Sequence, residues 1–476
     1  MSDTKQLETL SALVEATKQR ERAQKKAAVA SVRVSPGPYL AFASVLTFSS
    51  ALLLRADDNA SALVLLLTAW CVVPFLALTD RIVFDGQSLS RRGFVSLVLR
   101  LLFGYRKLLS VHDFETLETN AVRTLRRGGR VRYRYRTQVT GKGKEFAFAS
   151  GGANYRQLVR ELFPLIHDDK LDNRSRDLRD YLNAPGSVNR KARQAQLAPA
   201  NVLDVTRTDF KLGGKKDSQQ ESIGQLPSSE DIERAHLLRR LGNELRVSGR
   251  LREAGEAFRR ALNVTPRGAW LIYDFARLLR SQASAQGDAR LLLRARAALR
   301  LASIRADKDQ VLLPLIGESF LECGDAKQAR QVLQKTVEID RGNFKARLGL
   351  ADLALRDGKL AHVIHHYHEA ARVTSDKALA RHARREADYY LRLNDDEDYL
   401  TTELRRINWL QNVTRVRRLA ASTINVSILL ALIGGYLDPV AGSLGWALAS
   451  SSMIAWVLTL LGTRWLFPRT KPGSLA

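Results

Sequence analysis

Four histidines crowd one short stretch: His362, His365, His366 and His368. His362 and His366 stand four apart, the spacing that puts two imidazoles on one helical face as in a zinc site. The general base that a metal hydrolase keeps between them is missing, because Val363 and Ile364 fill those positions. The stretch reads as a polar helix surface, and no metal is assigned to it. Thr140-Gly-Lys-Gly-Lys144 sets glycines beside lysines but lacks the Gly-x4-Gly-Lys spacing of a phosphate-binding loop. Neither a nucleophile elbow nor a dinucleotide-binding glycine motif occurs in a suitable setting. With only Cys71 and Cys323, a disulfide scaffold and a four-thiolate metal site are excluded. We therefore expect no catalytic residue and no cofactor: the chain reads as a non-enzyme.

The charge balance points to anionic partners. Of 476 residues, 75 are Lys or Arg and 49 Asp or Glu, a net charge of +26. Such a chain is drawn to nucleic acid or to the anionic face of a membrane. A mean hydropathy of −0.20 conceals four long apolar runs. Pro38–Leu54, Ala60–Thr79, Leu419–Tyr436 and Leu444–Gly462 contain no Asp, Glu, Lys or Arg. A helix needs about 20 residues to cross the hydrocarbon, with about 17 as a lower bound. Two hairpins of transmembrane helices are the natural reading, since lipid leaves no partner for an unpaired backbone group. Pro74 stands inside the second run, where it can kink the helix.

The flanks of these runs are rich in arginine and lysine, among them Lys25, Lys26, Arg81, Arg91, Arg92, Arg417, Arg418 and Arg464. The two hairpin loops hold only Arg55. The positive-inside rule then places both termini and residues 81–418 in the cytoplasm. Much of the positive charge is accounted for by that topology and by an anionic inner leaflet. With no charge in the spans there is no evident ion or proton path.

Between the hairpins the texture changes. Arg81–Phe84, an Asp85-Gly86 turn and Leu89–Arg92 read as a hairpin. Phe94–Phe103 reads as either a helix on the membrane interface or an inserted core segment. Strands follow at Leu108–Thr119, Val131–Thr137 and Glu145–Ala149, the second alternating strictly as Val-Arg-Tyr-Arg-Tyr-Arg-Thr. Tyr155, Leu158, Leu162 and Ile166 then mark one face of a closing helix. This order of elements beside a transmembrane pair resembles the bacterial pleckstrin-homology-like domains. The resemblance implies a curved sheet capped by its last helix, with roles near the membrane and in self-assembly. Arg126, Arg127, Arg130 and Arg132 either touch lipid phosphates or form a solvated turn and strand face.

Residues 167–229 lose periodicity and carry turn chemistry, and are expected to be a flexible linker with at most a short helix near Ser175–Leu182. Beyond it, Gly242, Leu245, Ala254, Phe258, Ala261 and Pro266 have the spacing of a helix-pair repeat of about 34 residues. Gly317, Phe320, Gly324, Ala329 and Leu333 repeat the pattern, as do Ala351, Ala354, Gly358, Tyr367 and Ala370. A longer unit lies between, from Trp270 to Ala302. The stretch 235–375 thus resembles four tetratricopeptide repeats, with Ala378–Leu393 as a polar capping helix. That family implies a concave groove, lined by the first helix of each pair, that binds a protein segment.

Repeat phase puts Arg239, Asn243, Arg246, Trp270, Tyr273, Arg277, Arg280 and Lys345 on the groove wall. Arginines with aromatic rings favour an acidic or C-terminal peptide segment as ligand. Arg239 and Asn243 match two positions of the carboxylate clamp of chaperone-binding repeats. Asp274, Val311 and Leu315 occupy the others, so that specificity is not carried over.

The expected fold class is a multidomain membrane protein: an α-helical tetratricopeptide solenoid, a small α+β pleckstrin-homology-like domain and four transmembrane helices. Its order is a basic N-terminal helix (1–36), hairpin (37–80), small domain (81–166), linker (167–229), repeats (230–400), basic connector (401–418), hairpin (419–466) and tail (467–476). The expected role is an inner-membrane scaffold or adaptor that recruits a protein partner through the groove, with anionic lipids beneath it and a possible homo-oligomer. The alternatives are an accessory subunit or assembly factor of a larger membrane complex, and a membrane-tethered nucleic-acid-binding protein.

Overall fold

The computed structural model describes residues 30–34, 37–103, 107–125, 131–149, 153–182, 185–197 and 228–465. They fall into two compact units. One holds the described chain up to Pro38, Pro74–Lys359 and His366–Ala383; the other holds Tyr39–Val73, Leu360–His365 and the chain from Arg384 onward.

The first described element is a strand, β1 (Ala30–Arg33), where the sequence suggested the end of a basic helix. It precedes the first apolar helix, α1 (Gly37–Arg55), and α2 (Asn59–Thr79) follows. At the end of that hairpin, β2 (Arg81–Phe84) pairs antiparallel with β1, Arg33 opposite Arg81 and Ala30 opposite Phe84. Val34 N–H donates to the Asp80 carbonyl at 3.2 Å, closing the neck. The small domain thus begins before the hairpin, not after it. No local signal in four residues reveals a strand whose partner lies some fifty residues away. Within α2, Pro74 brings a π-helical turn over Thr68–Val72, which absorbs the missing donor by widening the helix.

β2 continues into β3 (Ser88–Arg92) and β4 (Leu108–Ser110), giving a sheet in the order β1-β2-β3-β4. Asp85 shapes the first turn by accepting from the Gln87 and Ser88 amides at 3.1 and 2.7 Å. Helix α3 (Phe94–Phe103) leaves the sheet between β3 and β4. The second sheet is β5 (Thr116–Leu125), β6 (Val131–Gly141) and β7 (Lys144–Ala149). Along β6, Thr137 and Val139 are buried while Arg134 and Arg136 face water, as the alternation requires. Helix α4 (Ala153–Leu162) buries Tyr155, Leu158 and Leu162 in a core shared with Phe84, Leu89, Phe114 and Phe146.

The stretch expected to be a flexible linker is largely structured where it is described. A 3-10 turn over Asp168–Lys170 leads into α5 (Asn173–Tyr181) and α6 (Pro185–Gln194). Residues 198–227 lie outside the described part. Helices then follow in succession: α7 (Ser229–Val247), α8 (Leu251–Val264), α9 (Ala269–Gln286), α10 (Ala289–Ala306), α11 (Leu312–Glu322), α12 (Ala326–Ile339), α13 (Phe344–Arg356) and α14 (Leu360–Val373). Small residues let α7 and α8 approach: Ala254 and Ala261 are fully buried. A Cβ on Gly242 would lie 2.8 Å from the Phe258 ring. Gly249, at φ 85°, turns the chain between these two helices.

The remaining helices are α15 (Lys377–Asp395), α16 (Glu397–Leu437) and α17 (Pro439–Trp465). The basic connector is therefore the first half of one continuous 41-residue helix. Four helices are long and apolar enough to cross a membrane: Gly37–Arg55, Asn59–Thr79, Glu397–Gly434 and Val440–Thr459. They mark the chain as a membrane protein. In the second unit the two hairpins pack together around Phe48, Ile424, Ala449 and Met453, with the Phe48 and Trp446 rings 5.9 Å apart. Gly445 permits the close approach of α16 and α17: a Cβ there would sit 2.5 Å from the Ala431 amide nitrogen.

Gly242→Val should destabilise the helical array by about 1–3 kcal/mol through overpacking against Phe258. Thermal unfolding of the full chain in detergent measures it. In a Phe258→Leu background, where the ring atoms are gone, the same substitution should cost less.

Candidate functional site

The eight residues expected on the groove wall come from three helices. Arg239, Asn243 and Arg246 recur every three or four residues along α7, and Trp270, Tyr273, Arg277 and Arg280 do so along α9. Lys345 begins α13. That spacing gives each helix one common face. The structure brings six of them into a continuous polar network, and the chain's own helix α5 lies against it.

The centre of the network is Asp177 on α5, a residue of the stretch read as a tether. Its carboxylate takes a bidentate pair of bonds from Arg246, at 3.0 and 2.8 Å, and a third contact from Arg277 at 2.6 Å. All three side chains are at most 8 % exposed. Burial pushes the Asp177 carboxyl up, but the Arg246 and Arg277 guanidiniums outweigh it and hold the group below the ordinary carboxylate range. Asn243 Oδ1 accepts from Arg246 Nε at 3.2 Å and fixes the fork. Arg239 donates to Asp274 at 2.6 Å and lies 5.2 Å from the centre of the Trp270 ring. Trp270 Nε1 donates to Asp309 at 3.0 Å, and Arg277 stacks on the Tyr273 ring at 5.3 Å. Arg280 pairs with Glu322, away from Asp177.

Two further bonds hold the α5 segment to the array. Lys345 Nζ donates to the Leu171 carbonyl at 2.8 Å, and Lys170 pairs with Asp376 at 2.7 Å. Burial lowers the Lys345 ammonium below the usual lysine range. On its other side the segment is stitched to β5. Asp172 caps α5 by accepting from Ser175 N–H at 3.0 Å and also accepts from Thr119 N–H at 3.2 Å. Ser175 Oγ bonds Thr119 Oγ1 at 2.7 Å, and Asp172 N–H donates to the Leu117 carbonyl. Burial raises the Asp172 carboxyl to about 6. A strap of about a dozen residues thus joins sheet to helical array, and it meets the arginines of α7 and α9.

Reading by residue type named the basic residues of α7 and α9 but missed Asp177, the counter-charge on α5, and Asp172, which caps that helix. The available signal was local: Asp172-Asn-Arg-Ser175 is a helix-capping sequence, with Leu171 and Leu178 seven apart and both buried. Of the arginines weighed for lipid phosphate, Arg126, Arg127 and Arg130 lie outside the described residues. Arg132 stands opposite Thr124 in the β5–β6 ladder. The histidine stretch lies on α14, with Val363 and Tyr367 turned inward and His362, His365 and His368 exposed. Among the described residues no group of three or more His, Cys, Asp or Glu is placed to hold a metal ion.

Asp177→Ala takes the carboxylate from buried Arg246 and leaves Arg277 only Asp274, at 3.8 Å, and should weaken α5 docking by about 3–5 kcal/mol. The readout is loss of amide-exchange protection across 168–182. The two aspartates give opposite pH dependence. Asp177, held low, contributes docking stability above the ordinary carboxylate value, and this is lost as pH falls through its depressed value. Asp172, raised to about 6, favours the folded form when protonated, so protection should decline as pH rises from about 4 through 6. Asp172→Asn, which keeps the cap, should abolish that decline. Compared with known proteins, the chain matches no protein-family model and no curated protein.

Proposed function

We propose that the chain is an inner-membrane scaffold or adaptor that recruits an acidic protein segment through the basic wall of its helical array. In this reading the array is a tetratricopeptide solenoid and the strand-rich part a pleckstrin-homology-like domain that sets the array near the lipid surface. The observation that carries it is the Asp177 carboxylate held between Arg246 and Arg277. The wall already grips an acidic residue on a helix, using the side chains expected to grip a partner. Helix α5 is then the resident occupant, and a partner competes with it. Competition makes recruitment switchable, because only a segment that binds better than the tethered one displaces it.

The strand pair at the neck supports the assigned topology. β1 and β2 meet in register, so both ends of the first hairpin emerge on one side of the bilayer. With the arginine bias this is the cytoplasmic side.

A peptide of residues 168–182 tests the groove in trans. It should bind the detergent-solubilised Asp177→Ala chain about tenfold or more tighter than wild type, since the tethered competitor is weakened by at least 1.4 kcal/mol. Arg246→Glu with Arg277→Glu should abolish binding. Equal binding to all three chains would reject the reading. For topology, a cysteine at Ala56, in a chain with Cys71 and Cys323 replaced by alanine, should react with an impermeant maleimide from outside intact cells. A cysteine at Arg134 should react only after the cells are opened.

A further inference from the structure

Helix α3 departs from the usual rule for helices packed on a sheet. Its ten residues include one charge, Arg100, and no acidic group. Phe94, Leu97 and Leu101, spaced three and four apart, are 52, 55 and 76 % exposed. Those three share one face. An exposed apolar stripe of this kind needs a covering.

The position of α3 says what covers it. Gly93, immediately before the helix, lies against the end of the apolar helix α2: a Cβ there would stand 2.9 Å from Asp80 Cα and 3.0 Å from the Thr79 carbonyl oxygen. The backbone of α3 therefore starts where α2 ends. On that last turn of α2, Phe75 and Leu78 are themselves 56 and 54 % exposed. Side chains tie the junction as well. Asp80 takes a two-point ion pair from Arg91, Nε at 2.9 Å and Nη2 at 2.5 Å, and Ser96 Oγ donates to the Arg91 carbonyl at 3.1 Å. Exposed Arg92 and Arg100 flank the stripe with positive charge.

We infer that α3 is a monolayer helix: it lies along the headgroup boundary of the bilayer that α2 spans, with Phe94, Leu97 and Leu101 in the acyl region. Its length of about 15 Å and its apolar face suit insertion to a depth of about 5–10 Å, with arginines level with anionic headgroups. The small domain is thereby held to the lipid at a second point beside the hairpin neck. A single hairpin leaves such a domain free to pivot; a second contact sets its tilt. The inference rests on the membrane reading of α2.

The test is nitroxide accessibility in the full chain, with Cys71 and Cys323 replaced by alanine, in nanodiscs of phosphatidylglycerol and phosphatidylcholine. Single cysteines replace Leu97, Leu101, Leu66 in the middle of α2, and Arg134 on the water face of β6. Oxygen should exceed a water-soluble nickel chelate several-fold as a collider at 97 and 101, at a depth shallower than at 66. The order should reverse at 134. Nickel-accessible labels at 97 and 101 would overturn the inference, and so would labels shielded from both colliders, which would mean a protein covering. A water-like label at 66 would instead sink the membrane reading itself, so the two failures are distinguishable. Burial of Arg134 would reveal a misfolded host, and Leu97→Ser in the Leu101 label background then supplies the check: it should make residue 101 shallower in a folded chain, and an unchanged depth counts against insertion.

Discussion

A carboxylate buried between two guanidiniums is the constraint on which the first unit depends. Taking Asp177, Arg246 and Arg277 out of water costs several kcal/mol for each charge, and only a complete set of contacts returns it. The carboxylate is satisfied on three sides: Arg246 binds in a fork, Asn243 steadies it, and Arg277 closes the third side while leaning on Tyr273, though Arg277 Nε and Asn243 Nδ2 are buried without a hydrogen-bond partner among the described residues. Such a pair contributes little net stability against an apolar core of the same volume. What it supplies is register. Any other alignment of α5 along the array takes the carboxylate away from Arg246 and leaves Arg277 only the more distant Asp274, at 3.8 Å, which is worse than the aligned state.

That alignment propagates through the strap. Asp172 and Ser175, within the same nine-residue helix and its cap, are bound to β5, so placing Asp177 also places the sheet. Tyr135 on β6 adds a direct bond from its hydroxyl to the Val247 carbonyl at 2.5 Å. Sheet, strap and helical array are consequently one compact unit rather than beads on a tether.

At the membrane side the same logic of closure appears in the backbone. β1 and β2 clamp the two ends of the first hairpin, and the Arg91–Asp80 pair and Gly93 bind the following helix to that neck. Gly93 is there because its missing Cβ lets two backbones touch. In the second unit, Gly445 against Ala431 does the equivalent for α16 and α17, where packing rather than hydrophobic burial holds helices together in lipid.

What the residues alone determined follows from short-range rules. Uncharged runs of 17 to 20 residues are legible as spans because hydrocarbon tolerates little else. Alternation along β6 and the small-large pattern at Gly242, Ala254 and Phe258 are legible because each period belongs to one kind of surface. The shared face of α7 and α9 residues was legible for the same reason, from their spacing of three or four. The tertiary structure decided what those rules cannot reach. Asp-Asn-Arg-Ser-Arg-Asp reads as a solvated linker because isolated polar residues prefer water; only the arginines of α7 and α9, some seventy to a hundred residues away, make its burial favourable. β1 reads as the tail of a basic segment because a four-residue strand exists only through its partner. The pairing of Asp177 with Arg246 and Arg277 was likewise invisible, since charge complementarity between distant segments becomes an interaction only once the fold sets them at hydrogen-bonding distance.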